Sequence, residues 1–287
     1  MSPTGATLTR LGKAWPRDTI LSRAMMDLAV QQITKDGYGI LPAPIEFQQS
    51  AANLIPYFVE NIVEGLGPER DLWEFDIEAY DDYYGIKLSP DHGLCNRSKG
   101  RNPKADNKLF FHWRAKDESH LMVPTLLASR GINTEPHQAW FRQCDDVWWK
   151  GLSLVLAFAH ELDLEYNLGL KKALLDPKAM PKHVLRIIYY HQEEVGRELA
   201  DTHFDFGALT ACLHESLPGL HLGEDKDNQW ESSLGQVPVF GGRKIGPFTK
   251  DLITSLPHGV EAQKPGLRTA VVFFAHVDGP MGPRYGE

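Results

Sequence analysis

A chain of 287 residues, 42% of them hydrophobic and 24% charged, is long enough to bury one large core or two modest ones and too apolar to be disordered throughout. A formal net charge of -8 excludes a protein built to coat phosphate backbones, and the nearest basic run, residues 97–104, is broken by Gly, Asn and Pro and reads as a solvated loop. The first residues hold no apolar segment of signal-peptide length, and the longest apolar stretch, residues 152–159, falls far short of the ~20 residues of a membrane span, so a cytoplasmic protein with neither a membrane nor a nucleic-acid partner is expected.

Apolar residues at helical spacing predict a helix over 19–33, ended by Gly37. Tyr38-Gly39-Ile40-Leu41-Pro42 then reads as a short strand, and residues 45–64 as a second amphipathic helix closed by Gly65. Residues 85–108 are rich in Gly, Asn, Lys, Asp and Pro with little periodicity, the pattern of a long binding loop or lid. A strand over 109–113, a long helix over 138–164 and a shorter one over 166–174 follow. The character changes near Pro181. Short apolar runs at 184–190, 208–213, 237–240 and 268–276 are separated by Gly, Pro, Asp and Asn, as in a β-sandwich or jelly roll. The expected fold is α+β, with a mainly helical region 1–180 packed on a β-core spanning 181–287. Cys95, Cys144 and Cys212 are too few and too scattered for a disulfide framework or a thiolate metal site, and free thiols are expected.

Twelve histidines carry the functional signal, and most must be discounted. Three His-x-acid triplets occur, at His191-Gln192-Glu193, His203-Phe204-Asp205 and His276-Val277-Asp278, where chance supplies one or two. Two His and one carboxylate on one face of an octahedron leave three positions open, the arrangement of non-haem Fe(II) oxygenases. His and Asp at i and i+2 of an extended segment point the same way, and the second His must come from a distant strand. His276 has no His after it. His191 has a possible partner in His258 but nothing more in its context. His203 has His258 fifty-five residues on, followed by Arg268. An Arg opening so apolar a run as 269–274 needs a partner, because an unpaired buried charge is costly; the remote carboxylate of a dicarboxylic acid, gripped bidentately, meets that need. His160-Glu161 and His214-Glu215 lack the second His of a zinc-protease helix, and Gly241-Gly242-Arg243-Lys244 lacks P-loop spacing and reads as a turn.

Leu185-Arg186-Ile187-Ile188-Tyr189-Tyr190, His203-Phe204-Asp205-Phe206-Gly207-Ala208-Leu209-Thr210, Pro218-Gly219-Leu220, His258 and Arg268 resemble the isopenicillin N synthase-like Fe(II)/2-oxoglutarate oxygenases. The resemblance covers residues 184–275; before them only a helix followed by Gly-Tyr-Gly-Ile-Leu echoes the family. It implies a double-stranded β-helix (jelly-roll) core behind N-terminal helices. It implies iron on His203, Asp205 and His258, 2-oxoglutarate with its distal carboxylate on Arg268, and a positioning role for Tyr190. The implied activity is dioxygenase chemistry on a small molecule with O2, releasing succinate and CO2, as in specialised metabolism. Two positions depart from the family. Ala270 stands where many members carry the Ser of Arg-x-Ser, and Ile188 where Asn is frequent. The missing Ser hydroxyl removes one hydrogen bond, roughly 1 kcal/mol. These departures keep open an oxidase of the same fold that uses no 2-oxoglutarate; a non-catalytic metal- or ligand-binding protein is the further alternative. Tyr83, Tyr84, Phe111 and Trp113, beside the long polar loop, are candidates for a substrate mouth.

Overall fold

The computed structural model describes residues 20–64, 93–96, 108–115, 135–190 and 195–286. Helix α1 (Ile20–Asp36) ends where Gly37, at φ 77°, turns the chain left-handed and returns its N–H to Ile33 O at 3.1 Å, and β1 (Tyr38–Pro42) follows at once. The helix expected over 45–64 is three pieces: α2 (Ile45–Ala52), α3 (Leu54–Tyr57) and a π-helical run, Phe58–Glu64. Pro56 accounts for the division. It has no N–H to continue the helical ladder, and its ring crowds the preceding turn. Helix α4 (Glu135–Tyr166) is the spine of the helical layer; Trp140, Cys144, Trp148, Leu152, Val155 and Leu162 recur at helical spacing on its buried face. The shorter helix begins only at Leu170 (α5, Leu170–Leu174), where the Asp163 carboxylate accepts the first two N–H groups at 2.7 and 3.0 Å.

The strands are β2 (Gly93–Asn96), β3 (Lys108–Trp113), β4 (Val184–Tyr190), β5 (Glu198–His203), β6 (Leu209–Glu215), β7 (Leu220–Leu222), β8 (Gln236–Gly241), β9 (His258–Glu261) and β10 (Arg268–Ala275), with α6 (Ile245–Thr249) between β8 and β9. All pair antiparallel. A seven-stranded sheet runs β1-β8-β6-β10-β4-β3-β2, and a three-stranded sheet runs β5-β9-β7. From β4 onward the chain alternates strictly between the two. Strands β1, β2 and β3, which precede residue 181, extend the large sheet at both edges. Strand β2 lies inside the stretch read as loop; its short Gly-Leu-Cys-Asn segment takes its extended form from pairing with β3 rather than from propensity.

Two apolar clusters result. One fills the space between the large sheet and α4, where Gly151 brings the helix against Phe273: a Cβ there would lie 2.7 Å from the ring. The other, with Ile188, Tyr190, Ala270 and Phe274 of the large sheet and Ala200, Leu220 and Val260 of the small one, fills the gap between sheets. Phe111 and Trp113, expected near a substrate mouth, face α4 instead; both are fully buried, stacked with Phe141, and the Trp113 indole N–H donates to Asp145 at 2.8 Å. Tyr83 and Tyr84 lie outside the described residues, as does His191. Cys144 and Cys212 are buried free thiols. Among the described residues, no helix is long and apolar enough to cross a membrane.

Candidate metal centre

Strand β5 ends at His203 and β9 begins at His258, and the two are direct cross-strand partners. Opposed residues of an antiparallel pair share a face, so the two imidazoles meet with centroids 4.5 Å apart. Asp205 lies two residues beyond His203 and turns to the same point. Its Oδ1 is 3.6 Å from His203 Nε2 and its Oδ2 3.3 Å from His258 Nε2. All three donor atoms lie within 4.8 Å of one another, and this is the one such group among the described residues. Adjacent ligands about 2.1 Å from a shared ion stand about 3 Å apart, so the spacing suits a transition metal with little adjustment. His214, His221 and His276 stand outside the group.

The surroundings fix each donor. His203 Nδ1–H donates to Asp201 O at 2.6 Å and His258 Nδ1–H to Leu256 O at 3.1 Å, which leaves both Nε2 lone pairs facing the centre. The Thr210 hydroxyl donates to Asp205 Oδ2 at 2.6 Å. Burial alone raises the Asp205 carboxyl, but the His258 and His203 rings and the Thr210 hydroxyl outweigh it and hold the group well below the ordinary carboxylate range. Burial pushes His258 down to about 4, so the ring is neutral and able to ligate near pH 7. The loop carrying Asp205 is pinned by main chain: the N–H groups of Gly242, Arg243 and Lys244 donate to Ala208 O, Asp205 O and Gly207 O at 2.9, 2.8 and 3.0 Å. His203 is 41% exposed at the side chain against 8% for Asp205 and 7% for His258, so the centre opens on the His203 side.

A cleft runs inward from this centre between the sheets. Side chains of β6, β10 and β4 line it, among them Arg268, which is 1% exposed. Tyr190, the cross-strand partner of Arg268, places its ring 4.7 Å from the guanidinium. Ala270 and Ile188 pair with each other on the same wall. Gly219, at φ 152°, lets the main chain close over Arg268; a Cβ there would lie 2.4 Å from Glu261 O and 3.1 Å from Arg268 Nε.

Two polar side chains in this cleft were not singled out as site residues by the sequence analysis. Glu215 is 1% exposed and forms an ion pair with Arg268, so the partner that Arg268 needs is already supplied by the chain itself. Arg186 is stacked between Phe110 and Phe274, 4.6 Å from each ring, and its Nε donates to His112 at 2.6 Å. Strand alternation places Arg186 with Ile188 and Tyr190. It places His214, not Glu215, with Thr210 and Cys212. A bulge shifts the β6–β10 register between Val271 and Val272 and turns Glu215 inward.

No protein-family model and no curated protein matches the sequence. Solved structures do match. JOX2 in complex with 2OG, Fe and JA is 16% identical, with 92% of this chain and 75% of that one covered and a TM-score of 0.65. The C-terminally truncated Neurospora crassa T7H in apo form is 12% identical, covering 94% and 92%, with a TM-score of 0.61. AtDAO1, a dioxygenase for auxin oxidation from Arabidopsis thaliana crystallised with 2-oxoglutarate, is 11% identical, covering 92% and 91%, with a TM-score of 0.58. At these identities the likeness is one of fold.

Proposed function

We propose that this chain, which shares its fold with 2-oxoglutarate–Fe(II) oxygenases, is itself an Fe(II)- and 2-oxoglutarate-dependent dioxygenase with a double-stranded β-helix core. The observation that carries the reading is one cleft lined both by two converging imidazoles with a carboxylate and by a buried guanidinium. His203, Asp205 and His258 would hold the iron, and Arg268, beside Tyr190, the distal carboxylate of the co-substrate. With O2, these two groups when bound supply the oxidation of a small-molecule C–H bond, most simply hydroxylation, with release of succinate and CO2.

The residues of the chain supply the rest. Asp205 contributes the negative charge at the metal position, and Thr210 orients it. Three donors on one side leave the opposite side for exchangeable ligands. Ile188, Ala270, Val272 and Phe274 line the cleft with apolar surface that excludes water between the metal position and Arg268. The exposed flank of His203 is where a substrate would enter.

Two measurements test the reading. Fe(II) added without oxygen, followed by 2-oxoglutarate, is expected to give a weak visible charge-transfer band that saturates with the co-substrate and is lost in Arg268→Ala at the same concentration. Turnover is expected to yield succinate in step with product. The Glu215–Arg268 pair and Ala270 favour one other reading, an oxidase of this fold that draws all its electrons from substrate. Iron binding with no band at high 2-oxoglutarate, and product without succinate, would establish that oxidase.

A further inference from the structure

We infer that Glu215 is a second co-substrate-binding residue: as a carboxylic acid it donates a hydrogen bond to the same distal carboxylate that Arg268 grips, and each dicarboxylic 2-oxo acid bound takes up one proton. The inference rests on the 2-oxo-acid reading of the cleft and adds to it.

Three observations converge. Arg268 Nε and Nη1 and Glu215 Oε2 are all buried without a hydrogen bond of good geometry, and the nearby Tyr190 hydroxyl interacts with the guanidinium without completing the set. Unsatisfied polar atoms in an apolar wall are costly, and three of them on two touching side chains of one cleft mark a place where a ligand completes the set. Second, Glu215 is the direct cross-strand partner of Ala270. Ala270 is the position where the resemblance implies a serine hydroxyl, and its methyl group donates nothing. A protonated Glu215 supplies an O–H from the facing strand. Third, the charges on Arg268 and Glu215 favour it. Arg268 and an ionised Glu215 are neutral together; a second carboxylate brought against them adds a negative charge among Ile188, Leu220, Val260 and Ala270, with Lys108 and Arg186 the other cations lining the cleft. One proton on Oε2 restores neutrality and turns a repulsive pair of oxygens into a hydrogen bond.

The other titratable or charged groups facing this pair are Tyr190 from β4, Cys212 from β6, and Lys108 from β3; Arg186 stands further along β4 with its own bond to His112. His214, next to Glu215, is turned by the bulge toward a second groove, which Glu215 also lines together with Glu231 and Lys264. Burial raises the Glu215 carboxyl even with Arg268 opposing, which lowers the cost of placing a proton there.

The test is calorimetric titration of the Fe(II)-loaded protein with 2-oxoglutarate under anaerobic conditions, in two buffers of different ionisation enthalpy, from pH 7 to 9. About one proton is expected to enter per co-substrate bound, with Kd weakening by up to about tenfold per pH unit where Glu215 is ionised in the free protein. Glu215→Gln keeps an acceptor for Arg268 and carries a permanent donor, so it is expected to bind without proton uptake and with a Kd flat across the range. Binding to the wild type without proton uptake overturns the role of Glu215 and leaves the oxygenase reading standing; so does uptake that persists in Glu215→Gln. Iron binding with no 2-oxoglutarate binding to either protein removes the 2-oxo-acid reading itself, and the role of Glu215 with it. The wild-type measurement decides alone should the variant fail to fold.

Discussion

The Thr210 hydroxyl, 2.6 Å from Asp205 Oδ2, holds a proposed iron ligand without itself being one. It removes one of the rotational freedoms of the carboxylate and favours its ionised form. Thr210→Val keeps the shape and deletes the donor. Fe(II) affinity near pH 7 is expected to fall by about 10- to 100-fold while the folded state persists, measured by competition with a metal-binding dye. Unchanged affinity would show that Asp205 is held by its loop alone. The triad is legible in the sequence because its geometry is local on one side, a His-x-Asp in extended chain, and needs only a later His on the other. Glu215 is not legible, because alternation along β6 predicts the wrong face for it, and the bulge that corrects this exists only in the pairing with β10.

Elements position these residues through close approaches that only glycine allows. A Cβ on Gly242 would lie 2.4 Å from Gly207 O and 3.0 Å from Asp205 O, both main-chain atoms that cannot swing aside. A Cβ on Gly151 would meet the Phe273 ring at 2.7 Å, on the far side of the large sheet from the site. The two substitutions to Ala are therefore expected to separate. Each costs about 1–3 kcal/mol of stability in denaturant titrations, but only Gly242→Ala is expected to weaken Fe(II) binding, since it displaces the loop carrying Asp205. Equal loss of iron affinity in both would refute the assignment of that loop as the positioning element. At this scale the large-sheet strands from β4 onward were legible as apolar runs. The small sheet was not, since β5, Glu-Leu-Ala-Asp-Thr-His, and β9, His-Gly-Val-Glu, give part of their length to the two clustered histidines and to polar groups.

Across the whole molecule, His183 joins the helical layer to the β-core. Its Nε2–H donates to Leu174 O at 2.9 Å, its Nδ1 accepts the His276 N–H at 3.0 Å, and its carbonyl accepts the Trp148 indole N–H at 3.1 Å. The neutral ring satisfies every bond; a protonated ring loses its acceptor inside an apolar core. Burial accordingly pushes its pKa down to about 4. The folded state prefers the neutral form, so this stabilisation is complete above the unfolded value near 6.5 and is lost as pH falls through about 4. The loss from His183 is on the order of 3 kcal/mol. His258, also near 4 through burial, adds in the same window, whereas the depressed Asp205 carboxyl loses its contribution only below the ordinary carboxylate range. Urea denaturation of the metal-free protein at pH 7 and pH 4.5 is expected to show this fall, and His183→Gln, less stable at pH 7, is expected to show a shallower one. A pH-independent stability between 7 and 4.5 would contradict the neutral-ring arrangement.

The order and chemistry of residues determined by themselves that helices precede a run of short strands, that His203, Asp205 and His258 belong together, and that Arg268 needs an anionic partner. The first follows from periodicity and the last from the cost of burying charge; the grouping of the triad rests on spacing together with the family resemblance of its motif. Tertiary structure alone decided that β1, β2 and β3 join the large sheet, that Phe111 and Trp113 face α4 and not the cleft, and that the partner of Arg268 in the free protein is Glu215. Those outcomes depend on which strands pair and in what register. A one-residue shift in register exchanges the two faces of a strand, so no local pattern in β6 could have placed Glu215 beside Arg268.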